Sequence, residues 1–306
     1  MTDALTDILE SIRMEGSVFS RAALAAPWGV ESGTTPTGMF HAVVSGNAWV
    51  KLVEGDAPIP LERGDIVMMP FGHNHLLTDA PGTATRPIAD LNSVDQFGRG
   101  RLIVAGEGPR TSLICGTVRF DKGSAHPVLS MLPPLMHIRD HAGRMSGATE
   151  TLVGLIAEEM DHPGAGSETV VARLTDALVV HVLRNYIESL PDSEAGWLAA
   201  LKDPPIRDAL GLIHRNPERS WTAAELGRLV GMSRSGFFRR FREAVGETPA
   251  QYLTLWRIHI ATRLLKDGGV SVGAVAHRVG YATEAAFSNA FQRVMGVRPG
   301  AYRRAA

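Results

Sequence analysis

Between Thr222 and Tyr302 the sequence repeats itself, and this repeat limits the possible folds more than any other feature. Phe237, Phe241, Gly246, Pro249 and Tyr252 recur fifty residues later as Phe287, Phe291, Gly296, Pro299 and Tyr302. Upstream, Leu226, Val230 and Gly231 recur at an offset of forty-nine as Val275, Val279 and Gly280, so the second copy carries one extra residue in its turn. Repetition at such a period marks two copies of one supersecondary unit. Each copy reads as an apolar-periodic helix, a break at Gly, a Ser or Thr, and a second periodic helix. A short turn whose Gly permits a tight backbone, set between two helices, is a helix-turn-helix pattern.

Ser233 and Thr283 stand where an N-cap hydroxyl accepts from the free amides of a first turn. Phe237 with Phe241, and Phe287 with Phe291, are four apart and form the core face of each second helix. Arg234, Ser235, Phe238, Arg239 and Arg242 then point outward from the first copy, and Glu284, Ala285, Ser288, Asn289 and Gln292 from the second. Between the copies, Pro249–Lys266 reads as one long helix, a rigid connector that fixes the separation of the two units.

The runs GMSRSGFFRRFREAVGETPAQYL and VAHRVGYATEAAFSNAFQRVMGVRPGAYR resemble the DNA-binding domain of the AraC/XylS transcription regulators, as do Ala261, Leu264 and Leu265 between them. The resemblance spans about Asp203–Arg304, a third of the chain. It implies that the second helix of each unit enters the major groove of double-stranded DNA. By position it places base contacts on Ser235, Phe238 and Arg239, and on Glu284, Ala285 and Asn289. Asn289 departs from the family, which often has Arg there; Asn pairs with adenine and Arg with guanine, so the second half-site is expected to differ in base or be read weakly. Arg240, Arg242 and Arg293, with Arg303 and Arg304, suit phosphate contacts or helix-surface packing.

Charge divides the chain in the same sense. From Ala200 onward there are 17 Lys and Arg against 8 Asp and Glu, whereas the first 199 residues hold 14 against 24. A basic C-terminal part suits a polyanion and an acidic N-terminal part does not. No apolar run is long enough to span a membrane, and the first residues lack the basic and hydrophobic regions of a signal peptide. A single cysteine, Cys115, excludes an internal disulfide framework. A soluble, cytoplasmic protein of two domains is expected from this and from its length.

Residues 3–14 read as a short amphipathic helix. From Ser17 to about Phe120, short β-rich runs alternate with Gly, Pro and Asp turns: Met39–Val44, Ala48–Val53, Ile66–Pro70, His75–Thr78 and Leu113–Phe120. Close, regular spacing of this kind predicts a small barrel or sandwich. Gly64, Pro70, Gly72 and His75 resemble the second signature of the cupin barrel, and Phe40–Gly46 the end of the first. The metal-dependent cupins carry His-x-His and Glu in the first signature and His in the second. Here the first keeps only His41, with Met39 near the place of the Glu. The resemblance directs His41 and His75 inward from facing strands, which makes them the candidate ligand-binding residues of a small-molecule sensor pocket. No cofactor or metal is expected. The alternative metal set is His73 and His75, two apart and so on one face of a strand, with Cys115 or His137 to complete it. Cys115 itself, in an apolar strand, reads as a buried structural thiol, and His137 as a local hydrogen-bonding residue.

Two helices are expected next, Thr149–Met160 and Ser167–Leu190, with Ser167 as N-cap of the second and Glu168 favourable at its positive end. The second is apolar along Val171, Leu174, Leu178, Val182 and Tyr186, and again along Val180, Leu183, Ile187 and Leu190. Two stripes need two burial surfaces: one the barrel, the other either the same helix of a second copy in a homodimer, to which the family resemblance also points, or a further surface inside one subunit. Pro191–Gly196 and Asp203-Pro204-Pro205 then read as the join.

The expected fold is α+β: a cupin-like β-barrel that senses an effector over 1–140, a helical dimerisation segment over 141–200, and an all-α domain with two helix-turn-helix units over 201–306. The expected function is a sequence-specific transcription regulator and not an enzyme. By family analogy it is an activator that contacts RNA polymerase. The alternative is a metal-dependent cupin enzyme, or a metal or thiol sensor, fused to a DNA-binding domain.

Overall fold

The computed structural model describes residues 6, 15–55, 57–94, 100–104, 106–119, 132–139, 147–190 and 197–305. Apart from Thr6, the helix expected over residues 3–14 lies outside them, as do Phe120 and residues 191–196. Two compact units form, one from residues 14–120 with 133–189, the other chiefly from residues 190–306.

The first unit is built on strands β1 (Glu15–Ala25), β2 (Gly29–Glu31), β3 (Gly38–Ser45), β4 (Ala48–Leu52), β5 (Ile59–Leu61), β6 (Ile66–Met69), β7 (His75–Thr78), β8 (Arg86–Pro87), β9 (Asn92–Val94), β10 (Gly100–Val104), β11 (Arg110–Arg119) and β12 (Met136–Ile138). They make a seven-stranded sheet in the order β12-β6-β3-β11-β1-β10-β9 and a five-stranded sheet in the order β5-β4-β7-β2-β8. The core draws on both: Ala22, Leu24, Val43, Val67 and Leu113 from the first sheet, Val30, Val50, Leu61 and Leu77 from the second. The five strands expected from the sequence are present as β3, β4, β6, β7 and β11. Every residue of β6 and the first six of β3 are buried. A strand buried on both faces reads as a continuous apolar run instead of an alternating one.

Helices α1 (Gly147–Asp161) and α2 (Ser167–Ser189) pack on this unit. The α2 helix lies against α1 and against β1 and β12, so both of its burial surfaces are supplied within its own unit. The β1 strand approaches closely: the Gly16 amide donates to Asp176 at 2.8 Å, and a Cβ on Gly16 would meet Thr175 Cγ2 at 2.6 Å. Ser167 is the first residue of α2 and not its cap; its hydroxyl accepts from the Gly164 amide and donates to Glu159. The segment expected as a separate helical piece divides, with Gly147–Ser189 clustering with the sheets and residues from Leu190 onward with the C-terminal helices.

The second unit is helical: α3 (Trp197–Ala200), α4 (Pro204–Arg215), α5 (Ala223–Leu229), α6 (Arg234–Val245), α7 (Pro249–Asp267), α8 (Val272–Arg278), α9 (Glu284–Met295) and α10 (Pro299–Ala305). Asp203-Pro204-Pro205 starts a helix here and does not break the chain. The Asp203 carboxylate caps α4 from the Ile206 amide, and proline is well suited to a first turn whose amides have no helical partner.

Candidate nucleic-acid interface and barrel pocket

The repeat in sequence is a repeat in space. Thr222 and Ser233 cap α5 and α6; Ser271 and Thr283 cap α8 and α9. Gly246 and Gly296 end α6 and α9 in the left-handed conformation, with φ of 83° and 75°. Behind each outward helix stands the same ladder of three rings. Phe237 lies 5.5 Å from Phe241, which lies 6.0 Å from Tyr252; Phe287 lies 5.6 Å from Phe291, which lies 5.5 Å from Tyr302. These fully buried phenylalanines fix the rotation of each helix, and so decide what it presents outward.

On α6 the outward set is Arg234, Ser235, Phe238, Arg239 and Arg242, all exposed. On α9, Glu284, Ala285, Asn289, Gln292 and Arg293 are exposed and Ser288 is partly covered. The Glu284 carboxylate lies beside Gly273, where a Cβ would meet its Oε2 at 2.8 Å, and so next to the first turn of α8. Arg240 is exposed and its Nε donates to Asp203 Oδ2 at 2.6 Å, tying α6 to the cap of α4. Arg303 likewise donates to the Val270 carbonyl at 2.7 Å.

The connector α7 begins with a reciprocal capping box between Thr248 and Gln251, which satisfies the amides of its first turn. Partway along it, Arg257 donates to the carbonyls of Pro217, Glu218 and Arg219 at 2.6, 3.2 and 3.2 Å. Sequence reasoning missed this residue. Its signal was an arginine near the middle of the connector helix, set between Trp256 and Ile258.

In the barrel, His41 from β3 and His75 from β7 do meet, one from each sheet. Their Nε2 atoms are 2.7 Å apart, and Cys115 Sγ lies 3.0 Å from His41 Nδ1. His75 Nδ1 lies 2.9 Å from the His73 carbonyl oxygen and 2.8 Å from Ser32 Oγ. A carbonyl only accepts, so Nδ1 of His75 carries the proton. Burial, only partly offset by the bond to His73, brings the His75 pKa down to about 4. The ring is therefore neutral and its Nε2 accepts. His41 must donate from Nε2; burial and the neighbouring His75 hold its pKa well below the ordinary value, so its Nδ1 accepts in turn. Cys115 supplies that last proton, and burial pushes its thiol up to about 12, which keeps the S–H intact. The hydrogen bonds thus run in one direction, Cys115 to His41 to His75 to the His73 carbonyl.

These groups border a cavity of about 20 Å³, lined also by Trp28, Leu77 and Ile88. That volume holds about one or two water-sized groups. Among the described residues the Trp28 indole N–H is buried without a partner. The alternative metal set is not assembled. His75 is the first residue of β7, so His73 lies before the strand, and the two-residue spacing does not put them on one face. The His73 ring instead sits edge-on to Phe71, 6.1 Å away, and Cys115 sits on the far side of the His41 ring from His75. Among the described residues no group of three or more His, Cys, Asp or Glu is placed to hold a metal ion. His137 takes the local role expected of it, lying 3.0 Å from Asp65 Oδ2 beside Arg139.

Residues 3–188 match a family model described as a cupin, and residues 226–305 one described as a helix-turn-helix domain. A Streptomyces lividans AraC-like transcription regulator is 34% identical over 305 residues, 99% of this chain and 98% of its own. The transcriptional regulator AlkR of Acinetobacter baylyi is 32% identical over 308 residues, 98% of this chain and 99% of its own. Among solved structures, the DNA-binding domain of AdpA in complex with a target DNA is 33% identical, covering 33% of this chain and 91% of that one with a TM-score of 0.32. Among the described residues no helix is long and apolar enough to cross a membrane. The full-length matches, the cupin barrel and the paired helix-turn-helix units identify the chain as a member of the AraC-type transcription regulators, DNA-binding proteins that join these two folds.

Proposed function

We propose that this regulator reads two successive major-groove segments of its operator, α6 in one and α9 in the next, and that the barrel senses a small molecule. Base edges fall to Ser235, Phe238, Arg239, Glu284, Ala285, Ser288 and Asn289, and phosphates to Arg234, Arg242 and Arg293. The observation that carries the reading is the duplicated ring ladder, which turns two helices outward in equivalent fashion from one rigid connector. A cation-rich outer face on α6 suits the polyanion it meets.

The effector pocket is the cavity between the sheets, where His41 and His75 face one another. Both lone pairs of the two rings are already engaged, so a ligand that bonds either ring must replace a link of the relay. A ligand of more than a few atoms must also open the cavity. Either change acts only through a different affinity for two states of the protein. By analogy with the family the assembly is a homodimer joined through the α1 and α2 helices; because α2 buries both of its stripes within its own unit, the contact falls to side chains these helices leave at the surface, such as Leu155 and Val170, 44% and 42% exposed. Activation through contact with RNA polymerase is part of the same reading, by analogy with the family.

Selection of bound fragments from random DNA by the purified full-length chain tests the proposal. A sequence with two recurring blocks about one helical turn apart is the expected result. Enrichment of a single block, or of none, would contradict it.

A further inference from the structure

The outward face of α6 carries one aromatic side chain, Phe238. The buried positions Phe237, Phe241 and Val245 already give the helix its core face. Phe238 lies off that face and is 40% exposed. Arg234 and Arg242 lie one turn to either side of it, Arg239 is its neighbour in sequence and Ser235 lies three residues before it; all four are exposed. The ring is partly covered by its own unit, and the two-fifths that stays exposed sits at the centre of a cationic patch, where burying it on a partner would be favourable. A polyanion that offers an apolar spot between its phosphates is such a partner.

Double-stranded DNA offers one such spot in the major groove, the C5 methyl of thymine. We infer that Phe238 is a specificity residue that packs on a thymine methyl in the segment read by the first helix-turn-helix unit. This rests on the reading of α6 as a groove-entering helix. The arginines around the ring fit the phosphates and acceptor edges that flank the groove floor, while the ring itself can make no hydrogen bond. Its discrimination is therefore steric and apolar: thymine is favoured, and removal of the methyl alone weakens binding.

The test uses the full-length chain and a DNA site obtained by selection. Each thymine of the site is replaced singly by deoxyuridine, which removes the methyl and leaves the hydrogen-bonding edge unchanged. For the parent protein, at least one replacement should weaken binding about fourfold, the effect of withdrawing one buried methyl group. In Phe238→Ala the same replacement should have no effect, and in Phe238→Leu a reduced one. Phe238 lies outside the buried core face of α6, so both variants should still fold, which a thermal scan verifies. The inference is overturned if every deoxyuridine site binds the parent within twofold of the thymine site, or if the penalty persists unchanged in Phe238→Ala. Failure to select any site contradicts the groove reading itself and is thereby told apart from failure of the methyl contact.

Discussion

The Arg257 guanidinium lies 5.4 Å from the centre of the Tyr281 ring while its N–H groups hold the carbonyls of residues 217–219. One side chain of α7 thus joins the loop that enters the first helix-turn-helix unit to the turn of the second. Hydrogen bonds from a cation to carbonyls that would otherwise lose their partners contribute roughly 1.5–3 kcal/mol. Arg257→Ala should destabilise the protein by an amount in that range, measured by urea unfolding, and Arg257→Lys should recover little because three carbonyls and a ring need the planar fork. A loss below about 0.5 kcal/mol in Arg257→Ala would show that the contact does not hold the units together.

The two turn glycines separate conformational strain from crowding. Gly231 and Gly280 have φ of 73° and 90°. A Cβ on Gly231 meets nothing within 4 Å, but one on Gly280 would lie 2.6 Å from the backbone of Glu218 and 2.7 Å from Arg257 Nη2. Gly231→Ala should cost about 1–2 kcal/mol, the ordinary left-handed penalty. Gly280→Ala should cost clearly more, because the loop has to move as well. Equal unfolding midpoints for the two variants would contradict this arrangement.

The barrel relay carries a pH signature. His75 stays neutral in the folded state down to about 4, whereas an unfolded His protonates near 6.5. Between those values the unfolded chain binds more protons, so stability is full above 6.5 and falls as the pH drops toward 4. His41, lowered well below the ordinary value, adds to the same trend. Asp65 acts in a lower window: burial would raise its carboxyl, but hydrogen bonds from His137, the Glu62 amide and Arg139 outweigh that and leave it below 3.8. Thermal melts of the parent between pH 7.5 and 4.5 should show a progressive loss that is shallower in His75→Gln. A flat parent profile would mean that the two rings are not buried and neutral.

Much of this molecule was legible because it is written in local, periodic terms. The aromatic spacing of Phe237 and Phe241, the caps at Ser233 and Thr283 and the glycines at 246 and 296 all act within a few residues of themselves, and the copies corroborate one another. The strands β3, β4, β6, β7 and β11 were legible for the same reason, as apolar runs bounded by turns. The β1 strand was not. Its sequence from Glu15 to Ala25 mixes Ser, Arg and Ala with few β-branched residues, and what makes it a strand is pairing with β11 and β10 from far along the chain. The site shows the same division. His41 and His75 were found through a cupin resemblance, but the third member, Cys115, was set beside the wrong histidine, because only the register that pairs Cys115 with His41 decides its neighbour. His73 was assigned to a strand that starts two residues later, and Arg240 faces Asp203, thirty-seven residues before it, a contact no helical wheel shows.

Two outward helices on one connector require a fixed phase on the DNA. Inserting five base pairs between the two blocks of a selected site turns them to opposite faces of the duplex, about half a helical turn apart. Binding of the full-length chain to this site, titrated beside the parent site at one salt concentration, should lose most of its specific affinity and approach the level of unrelated DNA. Undiminished binding after the insertion would contradict simultaneous reading by α6 and α9.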